Sequence, residues 1–304
     1  MMIMQHHLRQ TLVVFMLGAI ALVGTSSCST QTTTSPAPTA TTLTNNTETS
    51  PIKTGGSSST VDFLQTLKTA YKSTSKTGKI TLLEPGQSEN AIAGVKQGLI
   101  DIGGISREIK PEENDNTLNF RKAAQDALVV ATHPRVTGVT NLTTEQLKGI
   151  YSGSITNWKQ LGGPDTEILL LDRPEDESAK RLLREHYLGQ DLPNSPNAVV
   201  LRKEGELIQT LESTPNSIGA FSLAYAISHN LPVNRLQLNG VAPTLENLKT
   251  GKYPMARTIG IVWSKNASEA TQAFVNYILS QPGASALEQS GFAPIAQTTE
   301  PERK

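Results

Sequence analysis

Cysteine is nearly absent from this chain. Among its 304 residues there is one, Cys28, so no intramolecular disulfide and no cysteine metal cage can form. Aromatic residues make up only 5%, too few for a stacking platform for single-stranded nucleic acid or for a sugar cleft. Net charge is lacking as well: 27 Lys and Arg balance 27 Asp and Glu. A nucleic-acid or general polyanion binder needs a basic surplus, so nucleic acid is not expected as a partner and any recognition of an anion must be local. A long apolar run is also missing. The stretch from Leu12 to Gly24 has thirteen residues, too few to span a bilayer as a helix.

That short run has a different use. His6, His7 and Arg9 precede it, and Thr25-Ser26-Ser27-Cys28 follows it. A basic start, an apolar centre and small residues at the end describe a signal peptide. Small residues directly before the lone cysteine look like a bacterial lipoprotein cleavage site, with Thr25 where leucine is commonest. Residues 1–27 are therefore expected to be removed and Cys28 to carry lipid. In residues 29–50, fifteen of 22 are Ser, Thr or Pro, a composition unable to bury enough apolar area to fold. Lipid plus tether implies a globular body working beside a membrane.

The body alternates strand and helix patterns. Strands are expected at 79–84, 100–105, 127–132, 167–172, 217–221 and 258–263, with a weak one at 236–238. Helices are expected at 61–71, 91–98, 143–151, 178–188, 267–279 and 283–289, with another opening at Ser222. The first helix places Phe63, Leu64, Leu67, Ala70 and Tyr71 on one face. Thr143 and Gln146 have capping-box spacing, as do Ser59 and Asp62. Such alternation means an α/β architecture with a largely parallel sheet.

Four strand-to-turn junctions carry groups suited to an oxyanion. The first is Gly55-Gly56-Ser57-Ser58-Ser59-Thr60 before the helix at Val61. The second is Pro85-Gly86-Gln87-Ser88-Glu89-Asn90. The third ends the strand at Ser106-Arg107, and the fourth is Asp172-Arg173-Pro174-Glu175-Asp176-Glu177-Ser178. Helix starts offer unpaired N–H groups and partial positive charge. Arginine adds planar, permanently charged donors, and ligands of open α/β sheets sit beyond the carboxyl ends of strands. Each group also has an ordinary explanation. Ser88 and Ser178 can simply cap helices, and Arg107 and Arg173 can pair with nearby acids. The joint occurrence favours one shared ligand.

These junctions, together with Asn141-Leu142-Thr143, Ile155-Thr156-Asn157-Trp158, Leu161-Gly162-Gly163-Pro164-Asp165, Asn216-Ser217-Ile218-Gly219-Ala220-Phe221-Ser222 and Gly251-Lys252-Tyr253-Pro254, resemble the phosphate-binding proteins of bacterial phosphate-specific ABC transporters. The resemblance covers roughly residues 50–295. It implies a type II periplasmic-binding-protein fold, in which two α/β lobes are joined by a hinge crossed twice and enclose the ligand between them. The crossings are expected near Ala131–Thr132 and Tyr253–Arg257. Lobe one would then be 51–131 plus 255–296, lobe two 132–254, and 297–304 a tail. Carried over position by position, the phosphate contacts would be Ser59, Thr60, the Val61 N–H, Ser88, Ser106, Arg107, Arg173, Glu177 and Ser178.

The sequence departs from that pattern in places. Many members carry Gly-Ser-Gly where this chain has Gln87-Ser88-Glu89-Asn90, and Ser-Gly-Thr where it has Glu177-Ser178-Ala179. Some place an aspartate, which accepts the proton of hydrogen phosphate, where Arg107 stands; Glu177 and Glu89 are the candidates for that role here. The expected partners are inorganic phosphate and ABC permease subunits, with no cofactor or metal, for a monomer on the extracytoplasmic side.

Other functions fit less well. The first loop lacks the Gly-Lys-Ser/Thr ending of an ATPase phosphate loop. His133, His186 and His229 are poorly placed as a hydrolase base, and no acidic or histidine group has metal-ligand spacing. The open alternatives are another oxyanion such as sulfate or molybdate, a sensor, or a scaffold that kept the fold.

Overall fold

The computed structural model describes residues 50–74 and 79–296. The signal segment, Cys28, nearly all of the tether and the 297–304 tail lie outside the described residues. In chain order the elements are β1 (Ile52–Gly56), α1 (Val61–Thr74), β2 (Ile80–Leu82), α2 (Ser88–Lys96), β3 (Ile102–Ile105), β4 (Leu118–Thr132), β5 (Asn141–Leu142), α3 (Thr144–Ser152), β6 (Leu169–Asp172), α4 (Ser178–Leu183), β7 (Val199–Val200), α5 (Glu204–Ser213), β8 (Ser217–Ser222), α6 (Leu223–Ser228), β9 (Asn234–Arg235), β10 (Gln237–Leu238), α7 (Leu245–Lys249), β11 (Ala256–Ser264), α8 (Glu269–Ile278), α9 (Gln281–Gln289) and β12 (Ala293–Pro294).

One sheet runs in the order β2-β1-β3-β11-β4-β8-β6-β7, with β12 and β9 also on β4. β2, β1 and β3 are mutually parallel, as are β8, β6 and β7. The centre differs from the expected parallel sheet: β11 runs antiparallel to β3 and β4, and β4 antiparallel to β8. β4 is long enough to serve both flanks. It pairs with β11 from Leu118 to Ala127 and with β8 from Leu128 to Thr132. The apolar periodicity of residues 127–132 revealed only its second half; the first half carries exposed Arg121 and Lys122.

Among the described residues three hydrophobic clusters lie along this sheet, the smallest packing Ala91, Ile92 and Val95 of α2 on Ile105 and Val262. Of the two larger ones, one joins Phe63, Leu64 and Leu67 of α1 to Ile259 and Ile261 of β11 and to Phe274, Val275 and Ile278 of α8. Phe63 meets Phe292 edge to face with ring centres 5.9 Å apart. The other gathers Leu128–Ala131 of β4 with Trp158, Leu171, Phe221 and Tyr253. The apolar face expected for α1 is thus the buried one. Thr143 caps α3 in a reciprocal box with Gln146. The box expected at Ser59 does not form; Ser57 accepts the first N–H instead, from Ser59.

Glycines at the ends of β1 and β3 let the first loop sit directly on the sheet. A Cβ on Gly56 would lie 2.5 Å from the Gly104 carbonyl oxygen and 2.5 Å from Thr60 Oγ1. The carbonyl belongs to a paired strand and cannot swing aside. Gly56→Ala is therefore expected to cost about 1–3 kcal/mol of stability through overpacking. Urea unfolding of both proteins checks this, and an unchanged midpoint would contradict it.

Candidate functional site

Loops following the carboxyl ends of β1, β2, β3, β6 and β7 supply the polar groups of one region. After β1, the Ser57 and Ser106 hydroxyls meet at 3.2 Å. The Ser106 N–H donates to Ser88 Oγ at 3.3 Å. Ser57, Ser88 and Ser106 are all buried and join three loops through hydroxyls. Ser88 opens α2, whose cap residue Gln87 makes no side-chain cap bond.

Opposite them lies the loop after β6. Arg173 and Glu177 are each 2% exposed, and Arg173 Nη2 lies 2.9 Å from Glu177 Oε2. Arg173 is fixed from behind: its N–H donates to Asp172 Oδ1 at 2.7 Å, and the other Asp172 oxygen takes the buried Lys180 ammonium. Arg173 Nε, Arg173 Nη1 and Ser178 Oγ are buried without a protein partner. Ser178 does not cap α4. It is the first residue of that helix, with Glu177 in the cap position and no side-chain cap bond.

The two groups of loops touch. Gln87 Nε2 donates to Glu177 Oε1 at 2.8 Å. Arg173 Nη2 donates to Ser58 Oγ at 3.4 Å, and so does the Glu204 N–H, also at 3.4 Å. Ser59 Oγ donates to Glu204 Oε2 at 3.2 Å.

Some of the expected contact groups are engaged elsewhere. Thr60 Oγ1 donates to the Ser57 carbonyl at 2.9 Å, inside its own loop. Val61 begins α1 and is half-buried. Arg107 is engaged by acids: Nη1 and Nη2 bind Glu113 at 2.7 and 2.6 Å, and Nη2 also reaches Glu89 at 2.8 Å. These bonds raise its pKa, Glu113 first, and hold Glu113 below the usual carboxylate range. Its Nη groups are spent on acids, so Arg107 is not a free anion donor comparable to Arg173.

Sequence reasoning missed a second cluster of buried charges. Arg257 Nε and Nη2 bind Asp126 Oδ2 at 2.9 and 2.7 Å, while Nη1 and Nη2 bind Glu204 at 2.7 and 2.9 Å. All three residues are buried. Burial pushes Asp126 up, against the pull of Arg257. Burial is the largest single influence on Glu204 and pushes it upward, but Arg257, Arg173 and the Ser222 N–H together bring its pKa down. Glu204 could have been found from the strand-end rule, had the two-residue β7 been legible.

Asp62, on α1 beside this cluster, is shifted as well. Burial is the largest cause lifting it from 3.8 to about 6; Glu204 and Asp126 add to the rise, and His229 and Arg257 oppose it. Among the described residues no His, Cys, Asp and Glu group could hold a metal ion, and no helix is long and apolar enough to cross a membrane.

Two parallel strand groups on a shared antiparallel centre, with polar loops gathered at strand ends, define a type II periplasmic-binding-protein fold. A family model described as a PBP superfamily domain matches residues 29–282. The chain is 30% identical over 249 residues to the phosphate-binding protein PstS of Borreliella burgdorferi, covering 79% of this chain and 88% of that one. It is 25% identical over 216 residues to the PstS of Bacillus subtilis, covering 70% of each. A crystal structure from Clostridium perfringens, described as a phosphate ABC transporter substrate-binding protein with bound phosphate, superposes with a TM-score of 0.71 at 25% identity, over 81% of this chain and 99% of that one. An ABC-type phosphate transport receptor from Vibrio cholerae gives 0.59, also at 25% identity. The chain belongs to the PBP superfamily, in its family of phosphate-binding proteins.

The Asp62 shift has a measurable consequence. Its folded pKa lies above the unfolded one, so the folded state holds the proton more tightly. The resulting stability is fully present below pH about 4 and is lost as pH rises through about 6. Asp62→Asn should flatten that part of the profile, gaining on the parent protein between pH 4 and 7 in urea unfolding. Parallel profiles would contradict the assignment.

Proposed function

We propose that this chain captures inorganic phosphate between two groups of strand-end loops and delivers it to an ABC importer on the extracytoplasmic side. It is a binding protein and not an enzyme. The observation that carries the reading is the set of donors without acceptors: Arg173 Nε and Nη1 and Ser178 Oγ, buried and unpartnered. Buried donors left unmade are costly, and a tetrahedral oxyanion supplies the oxygens they lack. The relatives named as phosphate-binding, and the neighbour crystallised with phosphate, support phosphate as that anion.

The proposed contacts are Arg173 and Ser178 on one side, with Ser57, Ser88 and Ser106 facing them, while Ser59, Thr60 and Val61 shape the first loop. Glu177 is assigned the role of accepting the proton of hydrogen phosphate. It is buried on Arg173, whereas Glu89 is exposed and held by Arg107. Sulfate brings no proton to that acceptor at neutral pH, so a carboxylate there would reject it. The lobes we assign meet where β4 changes partner, between Ala127 and Leu128, and where β11 begins at Ala256. The first of these falls four residues before the Ala131–Thr132 crossing expected from sequence. Anchoring through a lipidated Cys28, docking to permease subunits and a monomeric state complete the reading.

Isothermal titration tests it. Phosphate should bind and sulfate should bind far more weakly. Arg173→Ala should cost about 2–5 kcal/mol of binding, and Arg107→Ala distinctly less. Absence of phosphate heat, equal affinity for sulfate, or a larger loss at Arg107 would contradict the assignment.

A further inference from the structure

The Asp126–Arg257–Glu204 cluster has a position that packing alone does not require. Arg257 and Asp126 are cross-strand partners on β11 and β4. They occupy the next-to-last rung before β4 leaves β11, since Ala256 and Ala127 form the last one. Glu204 comes from the first residue of α5, on the other strand group. The carboxylate it presents to Arg257 also accepts the Ser59 hydroxyl, and its own N–H donates to Ser58. One residue therefore connects the point where the strand groups join to the loop after β1.

The wiring is fully satisfied, as a buried charge cluster must be. Glu204 Oε1 accepts the Ser222 N–H at 3.2 Å and Asp126 Oδ1 the Ala224 N–H at 3.2 Å. Arg257 Nε, Nη1 and Nη2 all have carboxylate partners. None of the three side chains offers the proposed phosphate pocket a vacant donor. Arg173, in contrast, retains two nitrogens without partners. The two arginines thus serve different ends. Arg173 is poised for a ligand, and Arg257 is committed to the protein.

We propose that Glu204 is a positioning residue that latches the two groups of loops together, catching Ser59 and Ser58 while Arg257 and Asp126 hold it to the junction of the strand groups. It acts on phosphate only through those contacts, and the proposal rests on the functional reading above. Ser58 links the latch to the ligand side, because the same hydroxyl oxygen accepts from Glu204 and from Arg173. Closure around the anion and formation of the latch are thus one event, and the latch slows escape of the anion rather than its entry.

Stopped-flow phosphate binding with Glu204→Gln, Ser59→Ala and the double variant tests this. Glutamine keeps the shape and removes the charge; Ser59→Ala leaves the buried cluster intact and guards against a folding defect. Each single variant is expected to raise the dissociation rate by about ten- to a hundredfold, the range of a hydrogen bond to a charged group. The association rate should change little, and the double variant should show less than the product of the two effects. Unchanged dissociation, an effect confined to association, or multiplicative single effects would overturn the latch. Failure of the parent protein to bind phosphate would overturn the functional reading instead. The latch would then be judged by the coupling of the two substitutions in urea unfolding, with additive values overturning it.

Discussion

The fold turns on one buried guanidinium. Arg257 joins β11 to β4 through Asp126 and joins both to α5 through Glu204, at the rung where β4 is about to change partners. Two carboxylates around one cation leave the cluster formally one negative charge in excess. It is tolerable because backbone N–H groups and the Ser59 hydroxyl satisfy the remaining carboxylate oxygens. Such a cluster is a weak source of net stability compared with an apolar replacement. Its value lies in specifying geometry, since few other arrangements of the same chain would leave those charges paired.

From that junction the site follows. Within each flank the strands are parallel, and the two flanks run in opposite directions, so that their carboxyl ends both point toward the junction, where the following loops deliver polar residues. Close glycine packing lowers the first loop onto the sheet, where Thr60 fills the space between Gly56 and Gly104. Lys180 fixes Asp172, and Asp172 fixes the backbone of Arg173. The outcome is a guanidinium whose position is determined by the protein while part of its hydrogen-bonding capacity is left unused. This division between holding and binding is what the proposed anion site requires of a preorganised donor.

Much of this was legible in the sequence. The periodicity of α1, the capping box of α3 and the apolar strands β8 and β11 were readable because local pattern and tertiary burial agree there. Arg173 and Ser178 stood out because they follow a strand and open a helix. The first half of β4 was hidden by its polar outward face, and β7 by its length of two residues. α5 went unread with them, and with it Glu204. The surroundings of Arg107 were hidden for another reason: sequence spacing cannot show that Glu113, six residues on, folds back over its guanidinium. The long-range ion cluster joins positions 126, 204 and 257, a separation that no local pattern encodes.

The central claim is that the unpartnered donors of Arg173 and Ser178 exist to hold phosphate. A crystal structure grown with phosphate tests it most directly. A tetrahedral anion is expected, with oxygens within hydrogen-bond distance of Arg173 Nε or Nη1 and of Ser178 Oγ, and with the Glu177 carboxylate facing one of its oxygens. Phosphate seated elsewhere, with those donors bound to protein or solvent instead, would contradict it.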